Sequence, residues 1–230
     1  MKIIKKSVTL FFLGLGTSLL IANETQQRLS YAIGVEVTKP IIKENINIDK
    51  QAFLDGVNDS LSGGDLKMTD QDIKSEIAAF VEQMMQKKEK ELKSVAERNK
   101  KEGEDFLTAH KKEKGIITLP SGIQYKVLQA SSTSKHPGPK DTVTTHYRGT
   151  LIDGTQFDSS YDRGEPVKFG LDQVIAGWTE VLQLMSPGDK WQVIIPSDLA
   201  YGQYAPSPVI GPNKTLIFDI ELLDYEAAKA

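Results

Sequence analysis

Phe157-Asp158-Ser159-Ser160, taken with Val174-Ile175-Ala176-Gly177-Trp178 and Tyr201-Gly202, sets aromatic and aliphatic side chains where an enzyme ordinarily carries acids, bases or nucleophiles. The surrounding residues alternate as strands do. Ile123, Tyr125 and Val127 are interleaved with polar residues, Val143 to Leu151 is rich in β-branched and aromatic residues, and so are Lys190 to Ile195 and Leu216 to Leu223. Between these runs, Val174 to Leu184 carries Ile175, Trp178, Val181 and Leu182 at helical spacing and is followed by Pro187-Gly188-Asp189. The spacing predicts an α+β unit from about residue 115, a mostly antiparallel sheet with one short helix. Its aromatic residues, Tyr147, Phe157, Phe169, Trp178, Tyr201 and Phe218, fit either an ordinary core or an apolar pocket with a few hydrogen-bond donors, and composition alone does not decide between them.

Upstream the pattern is helical. Pro120-Ser121-Gly122 marks the boundary. Before it, from Asp70 to about His110, there is no proline and one glycine, Gly103, and a helix of that length would span roughly 60 Å. It is apolar only at its start (Ile73, Ile77, Phe80, Val81, Met84, Met85). From Lys87 to Asp105 it is almost all charged or polar, with Leu92, Val95 and Ala96 as exceptions, which suits a solvated strut held by pairs such as Lys87–Glu91, with a disordered charged linker as the competing reading. Thr69-Asp70-Gln71-Asp72 reads as its capping box. A shorter helix after Asp49 carries Phe53, Leu54, Val57 and Leu61 and stops at Ser62-Gly63-Gly64, and another carries Leu29, Ile33, Val37 and Ile41 and is ended or kinked by Pro40. Such short helices are unstable alone in water, so their stripes must be buried against each other and against a second copy of the chain. At the N-terminus Lys2, Lys5 and Lys6 precede an apolar run from Val8 to Ala22, too short for the roughly 20 residues of a spanning helix. This reads as a cleaved secretory leader, with an uncleaved anchor as the competing reading.

Composition narrows the chemistry. The 230 residues contain no cysteine, which removes disulfides, thiolate catalysis and iron–sulfur clusters and fits export to an oxidising compartment. A formal net charge of −3 gives no general reason to bind nucleic acid. His110, His136 and His146 have no metal-ligand spacing, so neither metal nor cofactor is expected. There is no nucleophile elbow and no phosphate-binding loop. Of the nearby carboxylates, Asp153-Gly154 reads as a turn and Asp162 as a loop residue, and His146 on a strand reads as structural.

Gly154-Thr155-Gln156-Phe157-Asp158-Ser159-Ser160, Val174-Ile175-Ala176-Gly177-Trp178, Ala200-Tyr201-Gly202 and Thr215-Leu216-Ile217-Phe218-Asp219 together resemble the FKBP family of peptidyl-prolyl isomerases, over roughly residues 116 to 225. With Asp198-Leu199-Ala200-Tyr201-Gly202 and Ile210-Gly211-Pro212-Asn213, the upstream segments resemble the macrophage infectivity potentiator subgroup, exported homodimers of Gram-negative bacteria. The resemblance implies a signal peptide over 1–22, a helical dimerisation domain over 23–85, a long charged connecting helix over 86–114 and an isomerase domain over 115–230, whose antiparallel sheet wraps around a short helix. It implies catalytic roles for Tyr147, Phe157, Asp158, Val174, Ile175, Trp178, Tyr201 and Phe218. Trp178 would be the pocket floor, the Ile175 N–H and Tyr201 hydroxyl would be donors to the ligand, and Asp158 would pair with Arg163 at the edge. Val167, Phe169, Val209 and Ile210 would contact substrate, or the family's macrolide inhibitors, which take the same pocket. The implied partners are proline-containing exported polypeptides, and the implied location is the periplasm, or the outer membrane or cell surface. The competing functional readings are a holdase chaperone and a surface interaction protein. A fragment starting near Gly115 discriminates: it would keep isomerase activity on tetrapeptides, while holding and protein refolding fall if presentation by the arms matters. Three positions depart from the family pattern: Val167 where many members carry an aromatic, Pro206 where several carry histidine and Gly211 where several carry proline.

Overall fold

The computed structural model describes residues 14–228, with side chains from residue 23. The expected leader lies outside the described residues over its first 13 positions. Contacts divide the chain after Glu76 into two units.

In the first unit, α1 (Gly14–Lys43) continues through Pro40, so the proline does not end the helix. Three residues of helix follow it, and the Pro40 carbonyl still accepts from Glu44 N–H at 2.9 Å. Helix α2 (Lys50–Ser62) starts at Asp49, whose side chain accepts from Ala52 N–H, and ends at Gly63. In the single chain α2 buries none of its residues. Leu29, Ile33 and Val37 on α1 and Leu54, Val57 and Leu61 on α2 are all exposed, Leu61 at 84%. The helical stripes are present, but one chain does not cover them.

Helix α3 (Asp70–His110) begins as the capping box requires: Thr69 Oγ1 accepts from Asp72 N–H at 3.1 Å, and the Asp72 carboxylate accepts from Thr69. The charged stretch forms the four-residue pairs Glu89–Lys93 and Lys101–Asp105, both at 2.8 Å, in place of the expected Lys87–Glu91. The helix is not a solvated strut to its end. Asn99, Gly103 and His110 are buried in the second unit. His110 Nδ1 lies 2.8 Å from Gln124 Oε1, and the Leu107 carbonyl accepts from Gln124 Nε2 at 2.8 Å. These are polar contacts, so no apolar stripe announces them.

The rest of the second unit is one antiparallel sheet. Its strands are β1 (Ile117–Thr118), β2 (Gln124–Gln129), β3 (Thr142–Leu151), β4 (Gln156–Ser159), β5 (Val167–Gly170), β6 (Lys190–Ile195) and β7 (Leu216–Glu226), in the order β1-β2-β6-β7-β3-β4, with β5 also paired to β3. The register Thr142↔Glu226 through Leu151↔Leu216 makes β3 and β7 the spine. Helix α4 (Ser160–Arg163) is a single turn after β4, and α5 (Ala176–Leu182) packs its Trp178, Val181 and Leu182 into the same core as the strands. Val181 and Leu182 on α5 are fully buried with Val143, Leu171, Val193, Ile195, Ile220 and Leu222. β4, α4 and β5 had no clear signal in the sequence, because their runs are only four residues each.

Candidate active site

The pocket forms where α5 leaves the sheet uncovered. It is a cavity of about 630 Å³ lined by Tyr147 of β3, Phe157 and Asp158 of β4, Phe169 of β5, Gln173, Val174 and Ile175 of the turn before α5, Trp178 of α5, Phe218 of β7, and Tyr201, Pro206, Ser207 and Ile210 of one long loop. Trp178 is its centre. The rings of Tyr147, Phe169 and Phe218 meet the Trp178 ring edge-to-face at centroid distances of 5.2, 5.5 and 5.3 Å. Phe157 extends the cluster edge-to-face onto Phe218 at 5.5 Å. Such perpendicular contacts are favoured by the ring quadrupoles and hold the lining rigid. Trp178, Tyr147 and Phe218 are buried, while Phe157, Val174 and Ile175 are half-buried and face the opening.

One backbone position makes room for this packing. Gly149 on β3 lies opposite Asp158. A Cβ there would stand 2.5 Å from the Phe157 ring and 3.0 Å from that of Phe218. Gly149→Ala is therefore expected to displace the Phe157 ring and destabilise the domain by about 1–3 kcal/mol, in the range of overpacked cores. Thermal or denaturant unfolding of the folded variant checks this.

Among the described residues Asp158 is the one carboxylate lining the pocket, and it is committed. Ser159 caps α4, whose single turn brings Arg163 back over Asp158. Asp158 accepts hydrogen bonds from Arg163 Nη1, the Tyr147 hydroxyl and the Ser159 N–H, and Arg163 Nη2 donates to the Tyr147 hydroxyl at 3.0 Å. Burial by itself would raise the Asp158 carboxyl, but the bonds from Tyr147 and Arg163 and the Arg163 charge outweigh it and hold the group below the usual carboxylate range. Burial, with the Asp158 hydrogen bond, pushes the Tyr147 phenol up. Near neutral pH the pair is thus an anion and a neutral phenol, neither poised to exchange a proton. Behind them Ser160, fully buried, accepts from the Tyr147 N–H at 2.8 Å, and His146 Nδ1 lies 3.0 Å from the same hydroxyl, with its ring stacked on Tyr161. His146 is a structural partner and lies outside the pocket.

Of the residues expected from the sequence, Tyr147, Phe157, Asp158, Phe169, Val174, Ile175, Trp178, Tyr201, Ile210 and Phe218 meet in this cavity. Arg163 stands behind Asp158. Val167 packs on the core from β5, opposite Thr145, and Val209 points outward at 44% exposure; neither lines the cavity. Gln173 and Ser207 line it and had no signal in the sequence beyond lying in polar turns. Ser160 was legible only as part of its motif. Among the described residues no cluster of histidine and carboxylate side chains is placed to hold a metal ion.

Comparison with known proteins bears on the same segments. Residues 133–223 match the family described as FKBP-type peptidyl-prolyl cis-trans isomerase, and residues 26–127 match the domain amino-terminal to it. The outer membrane protein MIP of Legionella longbeachae is 42% identical, over 97% of this chain and 98% of its own. The chain belongs to the FKBP-type peptidyl-prolyl cis-trans isomerase family. The peptidyl-prolyl cis-trans isomerase Mip of Coxiella burnetii is 43% identical over 87% of each chain. The crystal structure of FkpA from Escherichia coli superposes with a TM-score of 0.73 at 38% identity, covering 89% of this FKBP-type chain and 98% of that one. Helices at the N-terminus and an antiparallel sheet at the C-terminus are thus the family's architecture, and this FKBP-type chain is a peptidyl-prolyl isomerase.

Proposed function

We propose that this isomerase speeds proline-limited folding of exported polypeptides by taking the twisted X–Pro amide into the aromatic cavity. The observation that carries the reading is an apolar, ring-lined pocket whose one carboxylate is already neutralised by Arg163 and Tyr147. An X–Pro bond isomerises over tens to hundreds of seconds because twisting it loses amide resonance, a barrier of roughly 18–20 kcal/mol. No proton or covalent bond has to pass to the protein. The planar amide is charge-separated and well solvated by water. The twisted form is less so, and a dry pocket that grips the proline ring favours it. Each 1.36 kcal/mol of such preference gives about tenfold in rate. In this reading Trp178 is the floor, and Tyr147, Phe157, Val174, Ile175 and Phe218 are the walls. The Ile175 N–H and Tyr201 hydroxyl, which have no hydrogen-bond partner among the described residues, donate to substrate carbonyls. The macrolide inhibitors of the family occupy the same space.

Asp158 sets the pH behaviour. Its native pKa is lowered from 3.8, so the stability it contributes is present above the unfolded value and is lost as pH falls through the lowered native value. Tetrapeptide isomerisation is therefore expected to vary less than about twofold between pH 6 and 8, where none of these groups titrates. A bell-shaped profile with a midpoint in that window would remove the proton-free mechanism.

The exposed stripes of α1 and α2 support assembly of two copies through the N-terminal helices. Ile33→Glu with Val37→Glu is expected to convert a dimer to monomer in sedimentation equilibrium while leaving tetrapeptide isomerisation within about twofold, since a dimer gives reach and avidity, not chemistry. A dimer that persists in the double variant contradicts this interface. The names of the relatives support an envelope location in a Gram-negative cell. Among the described residues no helix is long and apolar enough to cross a membrane.

A further inference from the structure

Four of the residues lining the cavity, Tyr201, Pro206, Ser207 and Ile210, come from one loop that runs from the end of a 3₁₀ turn (Ser197–Leu199) to β7. The loop contains no helix or strand. Its internal bonds, Tyr204 N–H to the Tyr201 carbonyl at 3.0 Å, Ile210 N–H to Ser207 Oγ at 3.1 Å and Asn213 N–H to the Gly202 carbonyl at 2.6 Å, close it on itself. None of them fixes its height over the cavity, and long loops of this kind open locally unless tied down.

The tie comes from α3. Asn99, buried, donates from Nδ2 to the Pro212 carbonyl at 2.7 Å, and Asn213, buried, donates from Nδ2 to the Ala96 carbonyl at 3.3 Å. Both bonds grip the loop within three residues of Ile210. Gly103 completes the seat: a Cβ there would stand 2.1 Å from Thr215 Oγ1 and 3.1 Å from its Cβ, so only glycine lets the helix come down onto buried Thr215. A glycine inside a helix costs about 1 kcal/mol relative to alanine, a cost that a free strut has no use for. Asn213 itself sits at φ 54, a left-handed conformation that asparagine tolerates, which aims its side chain back at the helix. Lys214–Glu102 at 3.6 Å, with Lys214 half-buried, and the exposed pair Lys100–Asp198 at 3.9 Å flank the seat and add little.

We propose that residues 96–103 of α3 clamp the rim loop over the isomerase pocket, and that Asn99 is a positioning residue for substrate binding. The clamp rests on the reading that the aromatic cavity is the isomerase site. The last turns of α3 are then a working part of the isomerase domain, and a chain cut at Gly115 keeps the sheet but loses both hydrogen bonds between helix and loop.

The test uses the full chain with Asn99→Ala, Asn99→Asp and Asn213→Gly, each followed by hydrogen exchange, tetrapeptide kinetics and thermal unfolding. Asn99→Asp keeps the shape but sets an acceptor against the Pro212 carbonyl, and Asn213→Gly keeps the positive φ and deletes one bond. Amide exchange over residues 203–213 is expected to rise about tenfold, with β3, β6 and β7 unchanged, as for local opening of a loop. KM is expected to rise about fivefold with kcat within about twofold, the pattern of lost uniform binding, and Asn99→Asp should be at least as impaired as Asn99→Ala. Folded variants with unchanged KM, or with exchange raised equally across the sheet, overturn the clamp. If the Asn99 variants do not fold, Asn213→Gly decides alone. Phe157→Ala run in parallel separates the two claims: if it retains the kcat/KM of the unaltered chain, the pocket assignment fails, whereas a pocket that needs Phe157 but ignores Asn99 and Asn213 removes only the clamp.

Discussion

Phe157→Ala is expected to lower kcat/KM for prolyl isomerisation by about 100-fold, or ~2.7 kcal/mol of lost preference for the twisted amide. Phe157 is half-buried at the mouth of the cavity, meets Phe218 edge-to-face and stands beside the Asp158 backbone on β4. Its removal opens the pocket to water on the side where the proline ring would be gripped, so a planar, solvated amide is no longer disfavoured. The ring is not in the closed core, so the variant is expected to fold, with a smaller loss of stability than the roughly 3–5 kcal/mol of a fully buried phenylalanine. Circular dichroism and unfolding establish the fold, and a protease-free tetrapeptide assay reads the rate. A folded variant with undiminished kcat/KM would show that the cavity is not where the amide twists.

Trp178→Ala has the largest expected effect on stability, about 3–5 kcal/mol, because it combines a deleted aromatic core residue with the cavity left behind. Three rings, those of Tyr147, Phe169 and Phe218, rest on the Trp178 ring. Their partners are not replaced by neighbouring side chains, since α5 is held by fully buried Val181 and Leu182 and cannot slide inward. Denaturant unfolding with an unchanged slope would measure the loss directly. Trp178→Leu, which refills part of the volume, should recover some stability but little activity. A Trp178→Ala variant as stable as the parent would mean that the floor of the pocket carries no packing load.

The sheet was legible where strands were long and alternating: Lys190 to Ile195 is β6, and β7 begins at Leu216 as the β-branched run does. The β4–α4–β5 segment was not, because Gln156-Phe157-Asp158-Ser159 and Val167-Lys168-Phe169-Gly170 are too short to display a period. They are strands because β3 offers them its free edge. The aromatic members of the site could be gathered from motif context, because their rings fall in separated motifs whose order and spacing belong together. The Arg163–Tyr147 bond and the Ser160 peg could not, being contacts between residues that look like ordinary surface and turn chemistry. The docking of α3 was hidden for a similar reason. Asn99, Gly103 and Thr215 are small or polar and more than a hundred residues separate helix from loop, so a charged helix read as solvated although Asn99, Gly103 and His110 on it are buried.

Our proposal is that one aromatic cavity twists X–Pro bonds in folding chains. It is tested most directly by refolding a denatured substrate protein, whose slow phase is set by a trans-to-cis proline, in the presence of catalytic amounts of the full chain, with and without a macrolide inhibitor of the family. The slow phase is expected to accelerate in proportion to enzyme concentration and to lose that acceleration when the inhibitor fills the cavity. A slow phase that is unchanged by the folded protein, or an acceleration that saturating inhibitor leaves intact, would contradict it.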